Sequence, residues 1–106
     1  MRKFDGYSVA ERKEIARTSR NYETLEILSS DRNCDVRDGV VENPNCPGEI
    51  LEKLASDEAV FIRCIVAGHP NISRAAIIKL LKDTHPAVKA NLEHNPNIPE
   101  DLKKFI

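Results

Sequence analysis

Apolar residues recur along this chain at a fixed interval of 26 residues. Four columns of apolar positions keep the interval: Leu25, Leu51 and Ile77; Leu28, Leu54, Leu80 and Ile106; Val36, Ile62 and Val88; and Val40, Val66 and Leu92. Two polar columns keep it as well: Asp31, Asp57 and Asp83; and Arg37, Arg63 and Lys89. A period of this length is typical of arrays built from one supersecondary unit per repeat.

Within each copy, the apolar positions predict two short helices. Ile50, Leu51 and Leu54 form a stripe along one helix, and Val36 and Val40, four residues apart, form the stripe of another. A tripeptide with a central proline ends the second kind of helix, because proline has no amide hydrogen to donate. These tripeptides are Asn43–Asn45, His69–Asn71 and Asn95–Asn97.

Residues that start helices stand before several of these stripes. Ser8 and Glu11 have the spacing of a capping box, which predicts a helix from this point. Asn21 and Ser73 are expected to cap two further helices. Pro47 is expected at the first position of its helix, where its missing amide hydrogen costs nothing.

The period and the helix pairs together predict an all-α fold. We expect a short α-solenoid of about three and a half two-helix repeats, with α/α or α/3₁₀ units, because one unit cannot bury its apolar stripes alone. The chain is expected to be one domain over residues 1–106. Its predicted parts are a degenerate N-terminal capping repeat (1–34), two full repeats (35–60 and 61–86) and a truncated repeat (87–106).

The best-defined repeat resembles the leucine-rich repeat variant family. The resemblance lies in Val36–Arg37, Asn43–Pro47 and Leu54–Asp57, and it is looser in Ile62–Asp83 and shorter in Val88–Pro99. It implies alternating short helices in a superhelix similar to HEAT-type arrays. The family's prototype carries a cysteine cluster with an iron–sulfur centre ahead of its repeats. No such cluster precedes the repeats here, so no cofactor is expected.

Composition and cysteine usage narrow the setting of the protein. The formal net charge is −1, which excludes a strongly basic nucleic-acid module. No apolar run is long enough to cross a bilayer, and no signal peptide opens the sequence, so we expect no membrane association. The three cysteines, without a CxxC pair, favour a reducing compartment. The predicted location is the cytoplasm.

Six cations form the candidate partner-binding ridge: Arg12, Arg17, Arg20, Arg37, Arg63 and Lys89. One interpretation is a basic ridge that binds phosphates or an acidic partner. The favoured interpretation is a structural row of ion pairs, because an aspartate stands six residues before Arg37, Arg63 and Lys89. The column Asn45, Asn71 and Asn97 is likewise expected to be structural, with side chains that bind main chain between neighbouring units.

Metal and catalytic sites are not expected. The possible metal ligands are Cys34, Cys46, Cys64, His69, His85 and His94, and their spacing fits no closed zinc framework. Cys46 shares a column with Ile72 and Ile98, which predicts a buried small hydrophobic residue. The sequence contains no Gly-x-Ser-x-Gly, His-Glu-x-x-His or glycine-rich phosphate motif. We therefore predict no catalytic, cofactor or metal residues, and no enzyme.

The favoured function is a non-catalytic protein-interaction or scaffold module, since repeat arrays present extended surfaces. The alternative is a nucleic-acid-binding helical repeat that uses the basic ridge. Residues 38–60 contain six acidic residues and one lysine, whereas residues 61–106 contain seven bases and four acids. This polarity favours a charged protein partner or head-to-tail docking. The uncapped C-terminal end, with Phe105 and Ile106, is a candidate site for homo-oligomer formation.

Overall fold

A computed structural model describes residues 3–106 as a stack of helix pairs, and it contains no strand within that range. The odd-numbered helices form one row and the even-numbered helices the other. The helices are α1 (Val9–Thr18), α2 (Tyr22–Leu28), α3 (Cys34–Glu42), α4 (Gly48–Leu54), α5 (Val60–Gly68), α6 (Arg74–Leu81), α7 (Pro86–His94) and α8 (Glu100–Lys103). The stack measures 46 × 23 × 19 Å. The predicted all-α solenoid is confirmed, in its α/α form.

The predicted apolar columns form the core between the two rows. All members of the four columns up to Leu92 are at most 2 % exposed, and Ile106 is half-buried. Because equivalent side chains meet in successive units, each pair covers an apolar stripe that its neighbour leaves open. The core is therefore one continuous cluster that runs along the stack.

The helix starts follow the predicted caps with one difference. Ser8 accepts from the Glu11 amide at 3.1 Å while Glu11 accepts from the Ser8 amide at 2.8 Å, which completes the capping box. Asn21 and Ser73 cap α2 and α6 as predicted. Pro47 lies one residue before its helix rather than at its first position, because its ψ of 153° is extended.

The units do not stack evenly. Helix α1 lies along most of α3, whereas α3 and α5 touch over a shorter stretch and the second and third units meet partly through α4 and α6. Gly39 explains the close approach of α1: a Cβ built there would stand 2.8 Å from the Lys13 carbonyl oxygen and 3.0 Å from the Ala16 Cβ. Ile65 and Asn91 occupy the same column in later units.

Replacing Gly39 with alanine is expected to lower the free energy of unfolding by about 1–2 kcal/mol. Alanine favours a helix over glycine by roughly 1 kcal/mol, but the contact with a backbone oxygen cannot relax without moving α1. Gly68→Ala is the matched control, because Gly68 is also helical and its added Cβ meets nothing within 4 Å. Urea unfolding of both variants checks this, and a stabilised Gly39→Ala protein would contradict the close packing of α1 on α3.

Candidate partner-binding surface

Arg37 joins two loops that are 26 residues apart. Its Nε donates to Asp57 Oδ2 at 2.7 Å and its Nη2 to Asp57 Oδ1 at 3.3 Å. Its Nη1 donates to the Asp31 carbonyl oxygen at 2.8 Å. The loops after α2 and α4 are therefore held together by one guanidinium whose side chain is 10 % exposed.

The same arrangement repeats along the stack and forms what we call the Arg–Asp chain. Arg63 binds the Asp83 carboxylate at 2.6 Å and the Asp57 carbonyl oxygen at 2.8 Å. Arg12 binds the Asp31 carboxylate at 2.8 Å and, at the end of the array, the Tyr7 carbonyl oxygen at 2.7 Å. The Arg–Asp chain thus alternates three arginines with three aspartates: Arg12, Asp31, Arg37, Asp57, Arg63 and Asp83.

The predicted row of ion pairs is present, but its pairing was predicted wrongly. We expected each arginine to pair with the carboxylate six residues earlier. The carboxylate partners of Arg37 and Arg63 lie 20 residues later, and the residue six positions earlier contributes its carbonyl oxygen instead. The reason is that the helix pair folds back and brings the loop after its second helix beside the arginine of its first.

The aspartates of the Arg–Asp chain also fix the turns in which they lie. Asp31, Asp57 and Asp83 each accept from the amide two residues ahead, at 2.9–3.0 Å. Burial raises the pKa of the Asp31 carboxyl, but the hydrogen bonds from Arg12 and the Asn33 amide outweigh it and lower that pKa below its usual value. The pKa of Asp83 is lowered in the same way, by the His85 amide and Arg63 against the effect of burial. The Asp57 hydrogen bond raises the pKa of Arg37.

The structure does not bring the six ridge cations onto one free surface. Arg12, Arg37 and Arg63 belong to the Arg–Asp chain and their side chains are 10–18 % exposed. Arg17 pairs with Glu14 at 2.8 Å and approaches Glu42 at 3.8 Å. Arg20 and Lys89 are exposed and form no ion pair among residues 3–106. A partner-binding role for the six residues remains a prediction.

The first residue of each proline tripeptide connects its unit to the preceding one, a role that sequence reasoning missed. Asn43 is fully buried, and its Nδ2 donates to the Ala16 and Ser19 carbonyl oxygens at 2.9 and 2.7 Å. Asn95 donates equivalently to Ala67 and His69 at 2.8 and 3.1 Å. Both asparagines also accept from the amide two residues ahead through Oδ1. The available signal was a polar residue before proline at the 26-residue interval.

His69 performs the same two tasks with an imidazole ring. Its Nδ1 accepts from the Asn71 amide at 3.0 Å, and its Nε2 lies 2.9 Å from the Asn43 carbonyl oxygen. Because Nδ1 accepts, the ring hydrogen lies on Nε2, which donates to Asn43. His69 is 5 % exposed, so both contacts are buried.

Replacing His69 with alanine is expected to lower the free energy of unfolding by about 2–3 kcal/mol, because it leaves a buried carbonyl and a turn amide without partners. His69→Asn is expected to retain most of the stability, since asparagine already makes both contacts at positions 43 and 95. Thermal unfolding of the two variants compares them directly. Equal losses in both would show that the ring's packing, not its hydrogen bonds, is what matters.

The predicted asparagine column makes the expected contact between units at one position. The Asn71 Nδ2 donates to the carbonyl oxygens of Pro44 and Cys46 at 2.8 and 3.3 Å. The side chains of Asn45 and Asn97 form no such bond within residues 3–106; their backbone amides donate to the first residue of the tripeptide. Most of the bonding that we predicted for this column lies two residues earlier.

Helix α5 carries a second apolar stripe that points away from the core. Ile62 and Val66 fill the core, as the equivalent residues do in α3 and α7. On the other side, four residues at i, i+3, i+4 and i+7 form what we call the α5 outer face: Phe61, Cys64, Ile65 and Gly68. Phe61 is 45 % exposed, and Cys64 and Ile65 are half-buried. A helix that is apolar on both sides is typical of one that is covered on both sides.

The neighbouring helices place different chemistry at the same positions. On α3 the equivalents of Phe61, Cys64 and Gly68 are Asp35, Asp38 and Glu42, and on α7 the first two are Ala87 and Ala90. The acidic side chains face α1, whose Lys13 lies 3.2 Å from Asp38 and 3.7 Å from Glu42. A hydrogen bond with Asp38, together with burial, raises the pKa of Glu42.

One comparison with known families matches the chain. A family model described as leucine rich repeat variant matches residues 35–59. Residues 35–59 are a leucine-rich repeat variant unit. This segment comprises nearly all of α3, the whole of α4, and Asp57 of the Arg–Asp chain. No curated protein and no solved structure matches the chain.

The leucine-rich repeat variant unit also contains the most buried of the cysteines. Cys46 is fully buried, as its column predicted, and burial raises its pKa to about 12. Cys34 and Cys64 are half-buried thiols, and burial raises the pKa of Cys64. His85 accepts from the Ala87 amide and His94 contacts the Ala90 carbonyl oxygen. Among residues 3–106, no three histidine, cysteine or acidic side chains are grouped as metal ligands.

The helices around the leucine-rich repeat variant unit are short. None of those between residues 3 and 106 has the length and apolar character that a bilayer span requires.

Proposed function

We propose that this helical-repeat chain is a non-catalytic module that binds another protein. The observation that carries the proposal is the α5 outer face, where Phe61 is 45 % exposed on a helix whose opposite side is in the core. Exposing an aromatic ring beside other apolar side chains costs solvation free energy, and such patches are typical of protein interfaces. The rigid stack behind α5 holds this face in place without a partner.

The polar interior supports the non-catalytic part of the proposal. Every buried side-chain nitrogen and oxygen among residues 3–106 has a hydrogen-bond partner. Active sites commonly keep an unsatisfied or strained polar group ready for substrate. The larger described cleft, of about 380 Å³, is bordered by Phe4, Ile27 and the Arg12–Asp31 ion pair, whose charges already neutralise each other.

The alternative, a nucleic-acid-binding repeat, has less support. It requires cations that are free to contact phosphates, and three of the six candidates are held by aspartates of the Arg–Asp chain. Arg20 and Lys89 are exposed, but they stand near opposite ends of the array, on α1's trailing loop and on α7.

The test is affinity capture from a nuclease-treated lysate of the cells that produce the protein. The folded chain is expected to retain one or more proteins that an immobilised Leu54→Ala chain, with its core disrupted, does not retain. Retention of no protein, together with binding to a DNA column that weakens steeply as salt rises, would replace the proposal with the nucleic-acid alternative.

A further inference from the structure

We infer that the α5 outer face binds a basic amphipathic helix of the partner. This inference rests on the proposed function and adds the chemistry of the partner segment. Phe61 and Gly68 are seven residues apart, a distance of about 10 Å along α5. That length matches about two turns of an opposing helix, whose apolar side chains at i, i+3, i+4 and i+7 fit a stripe with the same spacing.

The surroundings of Phe61 leave room for such a helix. Helix α3 contacts α5 over a shorter stretch than it contacts α1, so the α3 side of α5 is less covered. On the other side, Ala87 and Ala90 of α7 are small and exposed. The apolar side chains of α5 therefore stand above both neighbouring helices, and the face is a shallow platform between them.

The charge beside this platform is negative. Asp35 is exposed and forms no ion pair among residues 3–106. Glu58, just before α5, has a 90 % exposed side chain, and its one cationic neighbour is Arg37 at 3.7 Å, which already binds Asp57. Lys13 and Arg17 of α1 are engaged by Asp38, Glu42 and Glu14. Lysines or arginines at the edge of the partner helix would find carboxylates within reach of the apolar contact.

The same charges argue against a second copy as the occupant. A two-fold symmetric dimer through α5 would bring each copy's Asp35 and Glu58 towards the acidic side chains of the other, and like charges at an interface repel. An anionic membrane surface is disfavoured for the same reason.

The experiment uses two fluorescein-labelled 14-residue peptides with leucine at i, i+3, i+4 and i+7. In one peptide the remaining positions are mainly lysine, and in the other they are mainly glutamate. Fluorescence anisotropy is expected to show binding of the lysine peptide and at least about tenfold weaker binding of the glutamate peptide. Phe61→Ser is expected to weaken lysine-peptide binding about tenfold or more, because an aromatic anchor at the centre of an interface carries much of the affinity.

Two further variants separate charge from apolar contact. The double variant Asp35→Asn, Glu58→Gln is expected to weaken binding about threefold to tenfold and to reduce its salt dependence. Ile78→Ser is the matched control, because Ile78 is 42 % exposed on α6 in the other row, and it is expected to leave binding unchanged. The melting temperature of each variant verifies that it is folded.

Three results would overturn the inference. They are absence of lysine-peptide binding, binding that Phe61→Ser leaves unchanged, and concentration-dependent self-association of the chain that Phe61→Ser abolishes. The last would identify a second copy as the occupant. If folded chain captures a protein from lysate equally well with and without Phe61→Ser, this inference fails while the proposed function stands. If it captures none, the proposed function fails.

Discussion

Replacing Arg37 with methionine is expected to lower the free energy of unfolding by about 3 kcal/mol. The change removes three hydrogen bonds and leaves the Asp57 carboxylate, whose side chain is 5 % exposed, without a cation. Breaking a buried ion pair by removing one partner is costly because the remaining charge has lost both water and its counterion. Urea unfolding followed by circular dichroism measures the loss.

Arg74→Met is the control for this prediction. Arg74 also binds an aspartate, Asp101, through both ends of its guanidinium, but both side chains are more than half exposed. Water and salt screen that pair, so its unfolding midpoint is expected to remain almost unchanged. Arg37→Met combined with Asp57→Asn is expected to recover part of the loss, since the remaining amide is neutral and still able to accept from the Ala59 amide. A double variant less stable than Arg37→Met alone would contradict this explanation.

Replacing Leu54 with alanine is expected to lower the free energy of unfolding by about 2–5 kcal/mol. Leu54 is 2 % exposed, and truncating it removes apolar burial and leaves a cavity. Because a domain of this size is stabilised by only roughly 5–15 kcal/mol, a large part of the population is expected to unfold under mild denaturing conditions. Differential scanning calorimetry measures the change in melting temperature.

Ile78→Ala is the control for Leu54→Ala, because Ile78 is a branched aliphatic residue that is 42 % exposed on α6. Its effect is expected to stay within about 0.5 kcal/mol, the usual range for surface positions. Similar losses at Leu54 and Ile78 would mean that the 26-residue period does not identify the core.

The sequence predicted the core and most helix starts because both depend on local or periodic signals. A leucine such as Leu28, Leu54 or Leu80 has a single strong preference, burial, so its recurrence is enough to place it. Ser8 with Glu11 forms a capping box within one helical turn, without help from the rest of the fold. Pro47 was misplaced by one residue because its ψ depends on the path of the preceding loop.

The polar contacts between units were harder to predict, because they depend on how the helix pairs fold back. The partners of Arg37 are one carboxylate 20 residues ahead and one carbonyl six residues behind, and only the three-dimensional path brings them together. Asn43 is polar and lies before a proline, features that usually indicate an exposed turn, yet it is fully buried. The α5 outer face was missed for a related reason: its apolar residues share no column property with Asp35 or Ala87.

The contacts of Arg37 with Asp31 and Asp57 also bear on how genes of this kind can change length. These two aspartates are separated by one period of 26 residues, and Asp57 and Asp83 by another. Unequal recombination that adds or removes one whole period would join equivalent loops, so every arginine would again stand between two aspartates. Descendants of such a gene are expected to differ in length by multiples of 26 codons.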